Sequence, residues 1–192
     1  MIIYKIQIKI FTFFIFNFVS YFTLQSQNNI DWKKAGNAPQ SYNIGVCFDS
    51  LKNYNINYIK SIDNKIKGFG TLLQFMEAKN YYNKRIKLSA NIKTKDVKGK
   101  CMMWLRVDSK LDRNYLAFDN MNDRPILGTT DWHKYEIVVN VSPDASDIYY
   151  GVLIEGEGEA FVDNLVFEIA EQNTNVTGIE RTNKPLNLNF ED

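Results

Sequence analysis

The chain has 192 residues, 45% of them hydrophobic and 23% charged, an ordinary globular composition with material for one core. Its 23 basic and 22 acidic residues nearly cancel, and no run of Lys or Arg forms a patch. Nothing in the charge pattern marks a nucleic-acid partner.

The first 26 residues read as an export signal. Lys5 and Lys9 supply a positive start with no acid, and the apolar stretch Ile10 to Leu24 follows. Gln25, Ser26 and Gln27 then offer a polar cleavage region with a small residue. An uncleaved membrane anchor is the rival reading. However, the stretch is shorter than the ~20 apolar residues of a span and is interrupted by Thr12, Asn17 and Ser20. The expectation is a signal helix over 1–26, a secreted or periplasmic product, and no membrane role beyond export. Without the signal, 21 basic and 22 acidic residues remain. Cys47 and Cys101 fit an oxidising compartment, either as a bridge or as two buried thiols.

Beyond residue 30 the apolar residues alternate with a period of two, between clusters of Asn, Asp, Gly and Lys. Strands are predicted over 41–47 and 57–62. The segment 70–78 is open to a helix or a strand reading, and the glycines before it favour a strand. In 85–93, Ile86, Leu88, Ala90 and Ile92 oppose Lys87, Ser89, Asn91 and Lys93. In 101–108, Cys101, Met103, Leu105 and Val107 oppose Met102, Trp104, Arg106 and Asp108. Further strands are expected over 115–119, 134–141, 147–154 and 159–169, the last two joined by a Glu-Gly-Glu-Gly turn. Nine or so strands without a sustained helical stripe predict an all-β, antiparallel β-sandwich or jelly roll. This domain is placed over 27–170. Residues 171–192 read as a polar linker ending in a short run that opens a missing next domain.

Chemistry-bearing motifs are sparse. His133, the one histidine, has no partner motif and reads as an exposed edge residue. Neither cysteine lies in a CxxC pair or beside a base. Gly68 and Gly70 lack the third glycine of a dinucleotide fingerprint. Glu155, Glu157 and Glu159 cluster on a turn, where acids are ordinarily solvated. No catalytic residue is assigned.

The segment 131–168 carries Trp132 and Tyr135 opening one strand, Gly151 within the next, the Gly156–Gly158 turn, and the step Val162-Asp163-Asn164. In this it resembles the closing half of galactose-binding-like jelly rolls, the group that includes many carbohydrate-binding modules. Trp132 is then expected to plug one end of the sandwich. Over about 30–170, Trp32 to Gly36, Trp104 to Asp108, Leu116 to Met121 and Gly128 to Trp132 are similar to the N-terminal module of secreted bacterial multidomain hydrolases, some with a tail-specific serine peptidase. The resemblance implies a non-catalytic accessory module whose partner is a glycan or a neighbouring enzyme domain. It also implies a structural calcium at Asp163, against the alternative of a carboxylate hydrogen-bonded to a nearby loop.

A binding face is the better functional candidate. Sugars stack on aromatic platforms flanked by polar side chains. Trp104 and Arg106 share the outward side of 101–108, and Asn91 is expected beside them if the two strands lie side by side. Asp119, Asn120 and Arg124, in the loop that follows, are expected to close one side. The alternative is that this loop covers Trp104 and Arg106. The runner-up function is a structural or protein-interaction domain docked through the same face on a neighbouring catalytic domain.

Overall fold

The computed structural model describes residues 32–112 and 114–181. The expected signal helix over 1–26 and the residues beyond 181 lie outside this range. Ten antiparallel strands and two short 3-10 turns make up the described chain. In order they are β1 (Lys33–Gly36), β2 (Tyr42–Asp49), β3 (Tyr54–Ser61), β4 (Phe69–Glu77) and β5 (Arg85–Ser109). β6 (Tyr115–Asp119), β7 (Ile126–Asn140), β8 (Ala145–Glu155), β9 (Glu159–Ala170) and β10 (Ile179–Glu180) complete the set. The segment open to two readings, 70–78, is strand β4. No described helix is long and apolar enough to cross a membrane.

β5 explains the architecture. It was expected as two strands, 85–93 and 101–108. Instead it is one strand of 25 residues. Its first half pairs with β9 and β7, and its second half pairs with β8 and β6. The inward residues are even-numbered in the first half (Ile86, Leu88, Ala90, Ile92) and odd-numbered in the second (Cys101, Met103, Leu105, Val107). An alternating strand changes parity only by carrying an extra residue, and the register with β7 slips at three places between Ile92 and Cys101. Asp96, at φ 54°, lies within that stretch. The sheet therefore curls around β5 into two arms. One runs β2-β3-β9-β5-β7, and the other runs β1-β4-β8-β5-β6-β10.

The core lies between the arms. Ile59, Ile86, Leu88, Ile92, Ile137 and Val162 come from the first arm, and Leu72, Met103, Leu105, Ile148, Val152 and Ile154 from the second, in one buried cluster. At roughly 25 cal/mol per Å² of apolar surface, each such side chain contributes about 1.5–3 kcal/mol against the entropy of ordering the chain. The polar segment after β9 is built into the fold over its described part. Arg85 donates through Nη1 to the Thr174 carbonyl (2.6 Å), Thr177 N donates to Val138 O (2.9 Å), and β10 pairs with β6.

Cys47 lies on edge strand β2 and Cys101 in the core on β5, and both are free thiols. Burial pushes the Cys101 thiol up to about 12, which keeps it protonated and unreactive.

Candidate functional site

The outward side of the second arm forms a groove of about 710 Å³, within the ~300–1,000 Å³ common for ligand clefts. Its lining includes Phe69, Thr71, Met102, Trp104, Arg106, Asn120 and Tyr149. These residues come from β4, β8, β5 and the end of β6, distant in sequence but adjacent in the sheet.

Trp104 is the centre of the groove, and its pose follows from the ladder. Trp104 is opposite Gly151 on β8, and Gly151 is opposite Leu73 on β4. Nevertheless the indole Nε1 donates to Thr71 Oγ1 on β4 at 2.9 Å. Two strand spacings of roughly 4.8 Å separate β5 from β4, so the indole must reach across β8. Gly151 permits this by having no side chain at the crossing. An added Cβ there would stand 2.1 Å from the Leu72 carbonyl oxygen. Thr71 is 2% exposed and passes its own proton to Val152 O at 2.9 Å. The indole edge is thus tied to a buried hydroxyl, while the half-buried ring lines the groove.

Arg106 gives the groove its polar wall. Its Nε and Nη2 donate to the two oxygens of Asp108 at 2.7 and 2.9 Å, and its Cζ lies 5.1 Å from the Tyr149 ring centroid. This leaves Nη1 and one Nη2 proton unclaimed by Asp108, on a planar group held along one edge by the carboxylate and over Tyr149 by its face. Tyr149 stacks on Phe75 at 5.3 Å with an interplanar angle of 20°, so aromatic surface continues past the groove to β4. Glu155 is the one carboxylate among the lining residues. Glycoside hydrolysis ordinarily uses two carboxyl groups facing each other across the scissile bond.

The structure brings together Trp104, Arg106 and Asn120, and it sends the other expected ligand contacts elsewhere. Asn91 stands in the first arm, between Lys134 and Asp163, because the strands expected side by side are two halves of one strand laid end to end. Asp119 is buried: its Oδ2 accepts from Arg124 Nη2 and from Thr177 Oγ1, both at 2.6 Å, and its Oδ1 accepts from Met121 N. Asp119 and Arg124 therefore fasten the loop after β6 and the segment after β9. Thr71, Tyr149 and Phe75 carry no motif in the sequence, and Gly151 belongs to the resemblance without marking the crossing point. The one available signal was a glycine inside a strand, which marks a close approach.

Asp163 also has its own partners. Its Oδ2 accepts from Lys52 Nζ and from Tyr54 OH (2.8 Å), and its Oδ1 from Asn164 N. Among the described residues no three His, Cys, Asp or Glu side chains converge on a metal position. An ammonium therefore sits where the resemblance implied calcium. Burial alone raises the Asp163 carboxyl, but the Lys52 and Tyr54 hydrogen bonds outweigh it and hold it below the usual carboxylate range. The same Lys52 Nζ lies 3.6 Å from the centroid of the Trp132 ring. Trp132 thus lies under Lys52, where it was expected to plug the sandwich. His133 is exposed, with Nδ1 2.9 Å from the Asp131 carbonyl.

No protein-family model matches the chain. Over 167 residues it is 36% identical to an uncharacterized HTH-type transcriptional regulator, YbfP, of Bacillus subtilis strain 168. That match takes in 84% of this chain, and the chain spans 56% of the length of that relative. Among solved structures, it is similar to the enzymatically active domain of tailspike protein 4 of bacteriophage CBA120. There the TM-score is 0.57 and the identity 12%, over 73% of this chain and 19% of that one. It is also similar to a protein of Bacteroides thetaiotaomicron described as a candidate sugar binding protein. That comparison gives a TM-score of 0.50 and 13% identity, over 72% of this chain and 87% of that one. At such identities the likeness is one of fold, an all-β antiparallel sheet curled into a sandwich.

Proposed function

We propose that the protein is an exported, non-catalytic binding module that takes a glycan into the Trp104 groove. The observation that carries this reading is the Trp104 indole, drawn across β8 and tied to Thr71 on the floor of an open groove. A sugar ring stacks on such a surface through its C–H face, and its hydroxyls need fixed donors and acceptors beside it. Arg106 and Asn120 stand on the groove wall for that role. A sugar-binding description on a neighbour of the same fold supports the reading. The test is a glycan-array screen with the purified protein, in which hits disappear in Trp104→Ala while the variant keeps its far-UV spectrum.

A second reading is favoured by the Bacillus subtilis relative. There the matched segment belongs to a longer protein named as a transcriptional regulator. In that reading the module is the ligand-sensing part of a larger chain, or packs on its neighbouring domain through the Trp104 face. The two readings separate on the same screen: folded protein that gives a blank array, with Trp104 shielded when a neighbouring domain is present, supports the second.

A further inference from the structure

We propose that β2 is a homodimerisation edge, at which two copies of the chain join their first arms into one continuous antiparallel sheet. Strand edges are normally protected against such pairing by shortness, charge or proline. β1 has four residues and carries Lys33 and Lys34, and β10 has two. β7 bears His133, Lys134 and Glu136, and Thr177 already bonds Val138 at its far side. β2 is unlike them. It runs eight residues, Tyr-Asn-Ile-Gly-Val-Cys-Phe-Asp, with no Lys, Arg or Pro and no charge before Asp49.

The hydrogen-bond phase shows which groups that edge offers. Ile62 N donates to Ser41 O at 2.9 Å, so odd-numbered residues of β2 turn their backbone polar groups toward β3. Even-numbered residues turn theirs outward, and Lys34 Nζ accordingly reaches Tyr42 O at 2.8 Å. Past Tyr42, the edge presents Ile44, Val46 and Phe48. Val46 and Phe48 are 59% and 62% exposed, although they share the face on which Tyr42 and Ile44 pack against the core.

A two-fold axis through Val46 pairs Ile44 with Phe48 of the second copy and Val46 with itself, giving about six backbone hydrogen bonds. In this register Asp49 faces Asn43 of the second copy, and like charges never meet. Asn43 is paired in turn with Lys60, an exposed ammonium only 3.8 Å-paired to Glu159 and one strand away from the incoming carboxylate. Cys47 arrives against Gly45 of the second copy, over which the Tyr58 ring already lies. The contact totals on the order of 1,000 Å² over both copies, near the lower limit for a specific interface, so association is concentration dependent.

Sedimentation velocity on the purified protein over a concentration series tests this. The expected result is a monomer–dimer equilibrium, abolished by Val46→Pro and by Phe48→Lys. The proline is informative because the Val46 N–H turns away from β3 and bonds nothing among the described residues, so the melting temperature of the monomer stays within a few degrees of the wild type. A short bis-maleimide is expected to join two Cys47 thiols in the wild type and to lose that product in Val46→Pro. A protein that stays monomeric throughout, or a dimer that persists in both folded variants, overturns the proposal.

Discussion

The two outward faces of the sheet each display a tryptophan, and they treat it in opposite ways. Trp104 is held by its edge, through a neutral hydrogen bond to Thr71, and its ring lines a groove. Trp132 is held by its face, under the Lys52 ammonium, which Asp163 keeps in place. A ring anchored at its edge keeps its π surface for a ligand, whereas a ring capped by its own chain has spent it on stability. The difference teaches that aromatic residues alone do not mark a binding site. What marks it is the group that anchors them.

That contrast can be broken most forcibly at the crossing point. Gly151→Ala places a methyl group against the β4 backbone beneath the indole. It is expected to cost about 3 kcal/mol in urea unfolding, with loss of glycan binding in whatever remains folded. Thr71→Val keeps the shape but leaves the indole N–H without its acceptor. The expected cost is about 1–2 kcal/mol in stability and roughly tenfold in glycan affinity by calorimetry, because the ring is no longer pinned.

On the other face, Lys52→Met removes the cap from Trp132 and the partner from Asp163. It is expected to cost about 1 kcal/mol, to change Trp132 fluorescence, and to leave glycan affinity unaltered. The pH dependence sharpens the same point. Asp163 is held below its unfolded value, so its contribution is complete above about pH 4 and is lost as pH falls through the lower folded value. Asp163→Asn should therefore flatten the acid limb of a stability–pH curve. The smallest effect concerns the thiols. At pH 8 iodoacetamide is expected to label Cys47 and to spare Cys101 until the protein unfolds, as read by mass spectrometry of the native protein.

The alternation around Ile86–Ile92 and Cys101–Val107 was legible in the sequence, and with it the all-β fold and the outward placing of Trp104 and Arg106. The continuity of β5 was not. Its central stretch is as polar as a turn, because in the kink between the two halves only Thr94 and Val97 are buried and the lysines around them reach solvent. That one error misplaced Asn91, which depended on the two halves lying side by side. Asp119 and Arg124 were misread for a different reason. Opposite charges five residues apart can grip a ligand or each other, and only the burial of Asp119 decides. Thr71 and Lys52 were invisible because each acts on a tryptophan brought close only by strand pairing.

The central claim is that the Trp104 groove, and not the Trp132 face, takes a glycan. The most direct measurement is a two-dimensional NMR titration of the indole N–H signals with a glycan drawn from the array. The account predicts that the Trp104 signal moves in a saturable way while the Trp132 signal stays still. A shift at Trp132 alone, or binding that survives in Trp104→Ala, would contradict it.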